Sequence, residues 1–96
     1  MRKKSDFEWN QEKDRVNQEK HGVPFALDQL AFADPNRIML GDLSHSGVEK
    51  RFYCVGKIAE EILTVRFTYR NKKIRIIGAG YWREGKRIYE KENKIH

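Results

Sequence analysis

The sequence predicts an α+β domain: an antiparallel sheet of three to five strands, two N-terminal helices and one C-terminal helix. Three observations predict it. The chain has 96 residues, 39% of them apolar, enough for one domain around one small core. Residues Ile62–Arg70 alternate apolar and polar and are followed after Asn71-Lys72 by a second apolar run, the pattern of a half-buried hairpin. Helical signals lie before and after the strands rather than between them, which favours an antiparallel meander with the helices on one face and the other face open, over a parallel sheet.

The elements follow in order. Residues 1–5 are charged and read as a flexible tail. Phe7-Glu8-Trp9 alternates as a short first strand. Asn10 is an N-cap and Glu12 suits the positive end of a helix dipole, so a helix spans Gln11 to Lys20. His21-Gly22 stops it, because glycine tolerates the left-handed turn, and Pro24 lies just beyond. That helix is polar, with Val16 its one aliphatic residue. A second helix spans Phe25 to Ala33, with Leu27, Leu30 and Ala31 as the stripe against the sheet, and Asp34-Pro35 ends it. Arg37–Leu40 and Arg51–Lys57 read as strands around a polar Ser/Gly loop that holds His45. Gly78-Ala79-Gly80 weakens the last strand or marks a bulge. A terminal helix lies within Trp82–Asn93, and its start is expected after Gly85, since an interior glycine costs about 1 kcal/mol against alanine.

The hairpin makes a sharper prediction. If Arg70 opposes Lys73, then Thr68 opposes Arg75 and Phe67 opposes Ile76. Leu63, Val65, Phe67 and Tyr69 share an oily face. Arg66, Arg70, Lys73 and Arg75 share the other, where like charges repel unless an anion meets them. The alternative is a solvated strand face neutralised by carboxylates from Glu8, Glu49, Glu60 or Glu61.

Composition narrows the function classes. Lys and Arg number 20 against 14 acidic residues, a net charge of +6, which favours nucleic acid or an acidic protein as partner. The single cysteine, Cys54, allows no intrachain disulfide and no cysteine-based metal site, and reads as a small core hydrophobe. His21, His45 and His96 have no metal-ligand spacing, so no metal and no cofactor are expected. No run approaches the roughly 18 apolar residues of a membrane span. The expected location is the reducing cytoplasm.

Phe7-Glu8-Trp9-Asn10, Lys13, Asn17, Lys20-His21-Gly22-Val23, Phe25 and Phe32-Ala33-Asp34-Pro35 resemble the N-terminal signature of the BrnT family of toxins. Arg51, Val55-Gly56, Phe67-Thr68-Tyr69-Arg70, Ile74-Arg75-Ile76-Ile77 and Tyr89-Glu90 extend the resemblance over residues 7–90. It implies a RelE-like fold and an endoribonuclease toxin of a type II toxin–antitoxin system that cleaves RNA and stops translation. It implies a BrnA-type antitoxin with a ribbon-helix-helix part, contact with DNA only through that antitoxin, and assembly as a dimer or a toxin–antitoxin heterotetramer. The chain departs from the family where Ile-Ser-Ala-Arg is common: here Gly78 and Gly80 replace the serine and the arginine, which puts that arginine's catalytic role in doubt.

Metal-free RNA cleavage needs a base for the 2′-OH, cations for the phosphoryl oxygens and an acid for the leaving 5′-oxygen. Arg70 and Arg75 are the candidates for the cationic role, because a guanidinium binds phosphate through two parallel bonds. Lys20 and His21 are candidate acid–base groups, set against a plain role as cations at a helix C-terminus. Tyr81 is a candidate proton donor or acceptor if nearby arginines lower its pKa. Arg51, Arg66, Lys73, Trp82, Arg83 and Arg87 are candidate RNA contacts, Trp82 as a stacking platform and the last two as part of a basic helix stripe with Lys86 and Lys91. Two rival readings stand beside the enzyme: a non-catalytic basic module that docks nucleic acid or an acidic protein, and a structural subunit of a DNA-bound repressor.

Overall fold

The computed structural model of the chain describes residues 6–42 and 49–94. The expected flexible tail (1–5), most of the Ser/Gly loop with His45, and the terminal His96 lie outside the described residues. The elements are β1 (Phe7–Trp9), α1 (Gln11–His21), α2 (Phe25–Asp28) continued by a 3-10 turn (Gln29–Ala33), β2 (Ile38–Gly41), β3 (Phe52–Ile58), β4 (Glu61–Arg70), β5 (Lys73–Gly80) and α3 (Arg83–Glu92).

The five strands form one sheet in the order β1-β5-β4-β3-β2. Strands β2 to β5 are a meander, and β1 runs parallel to β5, with Phe7 beside Ile74 and Trp9 beside Ile76. The sheet is therefore mixed rather than purely antiparallel. Hairpin turns fix the direction of β2–β5 locally, whereas β1 joins its partner over a long stretch of chain and carries no turn signal to set its sense.

The β4–β5 register is the expected one: Arg70 pairs with Lys73, Thr68 with Arg75 and Phe67 with Ile76. Asn71 (φ 54°) and Lys72 (φ 65°) both adopt the left-handed conformation, the two-residue turn that matches strand twist. Beyond Ile76 the register shifts, Arg66 pairs with Gly78, and Ile77 is the extra residue of a bulge.

Both faces of the sheet are covered in part. Leu63, Val65, Phe67, Ile76 and Ala79 face the α2 side and are buried with Phe25 and Ala31. Phe32 packs edge-on against Phe67 with ring centroids 5.0 Å apart, and Trp9 against Phe25 at 6.4 Å. Each fully buried aromatic or aliphatic side chain stabilises such a core by about 1.5–3 kcal/mol. On the other face α3 lies over β3 and β4, so the expectation of helices on one face only is corrected. Gly85 is inside α3, not before it, because a Cβ there would collide with Thr64 Oγ1 and come 3.7 Å from Val55 Cγ1. Close packing on Thr64 outweighs the cost of a helical glycine. The expected α2 stripe is corrected too: Phe25, Asp28 and Ala31 are buried, while Leu27 and Leu30 are 38% and 50% exposed. The tighter 3-10 turn after Asp28 rotates the face away from the α-helical i, i+3, i+4 positions.

Polar side chains fasten the helices that the core does not. Asn10 caps α1 through its side chain (3.0 Å to Lys13 N), and Gly22 (φ 73°) closes it. No α1 residue is buried, so the helix is held by hydrogen bonds: Asp14 Oδ1 accepts the Phe25 N–H at 2.8 Å, and Asn17 Oδ1 accepts the Ala79 N–H at 3.2 Å. Asp34 is a second node. One oxygen accepts the Asn36 N–H (2.9 Å); the other accepts the Lys57 N–H (2.7 Å) and the Tyr89 hydroxyl (2.6 Å), tying the 3-10 turn, β3 and α3 together. Tyr89 is pushed up to about 12 by burial and by Asp34, and the Cys54 thiol also to about 12 by burial, so neither ionises near neutrality.

Two predictions follow from this packing. A Cβ at Gly56 would overlap the Ala31 carbonyl oxygen and lie 2.9 Å from its carbon. Gly56→Ala is expected to lower unfolding stability by about 1–3 kcal/mol in urea titrations. Asp28 is fully buried, neither oxygen has a hydrogen-bond partner among the described residues, and burial with the nearby Asp14 charge pushes it up from 3.8 to about 7. Its proton is held more tightly in the folded chain, so the Asp28 contribution to stability is full below about pH 4 and is lost as pH rises from there through about 7. Asp28→Asn should flatten that slope and raise stability at pH 8 by a few kcal/mol, at about 1.4 kcal/mol per tenfold displacement of the proton equilibrium. Parallel slopes for the two proteins between pH 4 and 8 would count against it.

Candidate active site

The bulge and the short β1 create the site. After Trp9 the chain leaves the sheet, so the outer edge of β5 beyond Ile76 has no strand beside it. Helix α1 takes that place, anchored by Asn17 on Ala79. Between α1 and the end of β5 lies an open cleft of ≈ 300 Å³, lined among others by Lys13, Asn17, Lys20 and His21 of α1, Arg66 of β4, Gly78 and Ala79 of β5, and Trp82; its one carboxylate among the described residues, Glu12, is paired with Arg15.

The glycines form its floor. A Cβ at Gly80 would stand 3.2 Å from Trp82 Nε1 and 3.3 Å from His21 Nδ1, so His21 and Trp82 approach over this residue. A Cβ at Gly78 would stand 3.8 Å from an Arg66 terminal nitrogen and 3.7 Å from Asn17 Oδ1, which places the guanidinium above Gly78. Arg66 Nε is buried and has no hydrogen-bond partner among the described residues. Arg66 pairs across the sheet with Tyr53, whose ring meets Trp82 edge-on at 6.1 Å. Burial, then the Asp42 carboxylate, raises the Tyr53 pKa above its ordinary value, against the opposing effect of Arg66. Lys20 and His21 are exposed in the last turn of α1, where the dipole favours cations.

The structure brings together Lys20, His21, Arg66 and Trp82 from the expected set. It does not bring Arg70 and Arg75 to them. Arg70 is held by both oxygens of Glu49 (2.9–3.1 Å) and Arg75 by Glu8 (3.2 Å), near the opposite end of the hairpin. The expectation that these guanidinium groups stand unneutralised is corrected: two of the four carboxylates named as alternatives reach them. Lys73 is exposed beside the turn, Arg51 begins the approach to β3 outside the cleft lining, and Arg87 pairs with Glu84 at 2.6 Å on α3. Arg83 is exposed on the first turn of α3. Tyr81, 48% exposed, has its pKa raised rather than lowered, by burial first and then by the Glu61 and Asp28 charges; carboxylates, not arginines, surround it. Lys13 and Asn17 carried a sequence signal only as members of the N-terminal motif, and their i, i+4 spacing puts both on the cleft side of α1.

Among the described residues no group of three or more His, Cys, Asp and Glu side chains is placed to hold a metal ion, and no helix is long and apolar enough to cross a membrane. No curated protein matches the chain in sequence. A protein-family comparison matches residues 9–85 to the family described as ribonuclease toxin, BrnT, of type II toxin-antitoxin system. That span reaches from Trp9 through the cationic cleft to Gly85 and takes in most of the chain; a toxin of this kind works opposite a protein antitoxin. The chain belongs to the BrnT family of ribonuclease toxins of type II toxin–antitoxin systems.

Proposed function

We propose that the chain is a metal-independent endoribonuclease of the cytoplasm that cleaves RNA at the α1–β5 cleft and thereby stops translation. A BrnA-type antitoxin restrains it and carries the complex to DNA through its ribbon-helix-helix part. One observation supports this reading: Arg66 sits in an open cleft with a buried Nε that has no hydrogen-bond partner among the described residues, beside exposed Lys20 and His21. A partly buried cation without a carboxylate is costly, and a phosphate offsets that cost through charge-assisted bonds.

The steps follow from placement. The phosphodiester lies over Gly78, where no side chain intervenes, with Arg66 on its non-bridging oxygens. His21 takes the 2′-OH proton as O2′ bonds to phosphorus and, as imidazolium, returns it to the 5′-oxygen as the P–O5′ bond breaks, while Lys20 stabilises the charge that grows between them. The arginine that the family pattern places at position 80 would project between His21 and Trp82; Arg66, reaching from the neighbouring strand, supplies a guanidinium to the same hollow. Arg70 and Arg75 act in this reading through their ion pairs, as fasteners of the hairpin and β1.

Arg66→Ala and His21→Ala should each relieve growth arrest when the chain is expressed alone, and should lower cleavage of labelled RNA by roughly 100- to 1,000-fold, the cost of losing one well-placed charge-stabilising group. Arg70→Ala should stay within a few-fold of the parent. A folded Arg66→Ala protein that cuts at the parental rate would remove the cleft from consideration. Salt-sensitive binding without any product would favour the non-catalytic module instead.

A further inference from the structure

A second cavity of ≈ 280 Å³ lies between α3 and the sheet, lined by Leu40, Tyr53, Val55, Trp82, Gly85 and Ile88 among others. Its volume is close to the lower end of small-molecule sites, about 300 Å³. Trp82 lines both this slot and the cationic cleft, so the two are separated by one indole ring. We infer that the slot is a nucleobase subsite: the base next to the scissile phosphate inserts between α3 and β3, against Trp82 and Tyr53, while its phosphate rests on Arg66.

The inference rests on the cleft being the RNA site, and four features select a base as occupant. Apart from Thr64 and from Glu84, whose carboxylate is paired with Arg87, the slot is apolar; aromatic rings rim one side, and every base has a face that stacks on them. Across the Trp82 ring lies a cleft whose Lys13, Lys20 and Arg66 charges favour the polyanion that carries bases. Trp82 is the N-cap of α3 but makes no side-chain cap, so the first-turn amides at the slot rim are donors for a base carbonyl or ring nitrogen. Arg83, exposed on the same turn, is placed for a flanking phosphate. A paired base could not enter, so single-stranded RNA is the substrate form.

The test uses the intact chain and four nucleoside monophosphates, followed by quenching of tryptophan fluorescence, with ribose 5-phosphate as the probe that lacks a base. Leu40→Phe and Ile88→Phe fill the slot from opposite walls without touching the cationic cleft. At least one nucleotide should bind fivefold or more tighter than ribose 5-phosphate, and each filled variant should erase that advantage while binding ribose 5-phosphate as the parent does. Equal nucleotide binding by parent and folded variants would overturn the subsite. So would variants whose one defect is escape from a co-expressed antitoxin, which would give the slot to a protein side chain. A variant-free measurement stands beside these: 4-thiouridine monophosphate under near-ultraviolet light should crosslink to Tyr53 or Trp82, and adducts confined to α1 would overturn the proposal. Slot-dependent nucleotide binding in a chain that cuts no RNA would uphold the subsite and sink the endoribonuclease reading, so the two can fail separately.

Discussion

The bond from Ala79 N–H to Asn17 Oδ1 is the constraint on which the functional geometry depends. Strand β1 is three residues long and leaves the outer edge of the far half of β5 without a strand partner. An unpaired strand edge either exposes its amides or recruits another element. Here it recruits α1, a helix with no buried residue of its own. Asn17 also donates to the Val23 carbonyl at 3.4 Å, so the same side chain fixes where the helix lies and how the chain leaves it. Hydrophobic packing would have drawn α1 flat onto the sheet and closed the space. A polar tether at one point leaves a gap, and the gap is the cleft.

The bulge at Ile77 works with that tether. Up to Ile76 the strands keep the register that alternation predicts, and the cations there meet carboxylates: Arg75 with Glu8, Arg70 with Glu49. Past the bulge Arg66 faces Gly78, which offers it neither a carboxylate nor a side chain to pack on. Three arginines that look alike in sequence thus differ in one physical respect. Two are neutralised through their neighbours, at exposed or half-exposed sites where such pairs contribute up to about 1 kcal/mol each. The third keeps a buried Nε with no hydrogen-bond partner among the described residues.

This difference marks the limit of what the sequence could reveal. Period-two alternation, the Asn71-Lys72 turn, the Asn10 cap and the Gly22 stop all depend on neighbours within a few residues, and the hairpin and α1 were legible for that reason. Glu8 and Arg75 are 67 residues apart, and nothing local announces that a parallel β1 brings them together. The α2 stripe misled because helical periodicity assumes 3.6 residues per turn, and the chain tightens to 3-10 geometry after Asp28. Gly85 misled in the other direction: its intrinsic cost in a helix is local, while its reason, the Thr64 side chain beneath it, is not. Lys20, His21 and Trp82 were readable as residue types suited to RNA; that they converge on Arg66 rather than on Arg70 and Arg75 was fixed by the third dimension.

Gly78 and Gly80 then acquire a physical meaning. Read as losses from the family pattern, they suggest a weakened enzyme. On the cleft floor they remove side chains at the point where His21, Trp82 and Arg66 converge, and any Cβ at position 80 would crowd the first two within 3.4 Å. The electrostatics of the site do not require the guanidinium to come from one strand or the other, because a phosphate responds to where charge stands and not to which residue carries it. Moving the charge from β5 to β4 changes the direction of approach: it comes from the strand that also carries Thr64 beneath α3, beside the Tyr53 and Trp82 wall. In the proposed reading a nucleotide held by Arg66 would lie close to the apolar slot, and the substitution that removes the family's arginine would bring phosphate recognition and base recognition to the same ring.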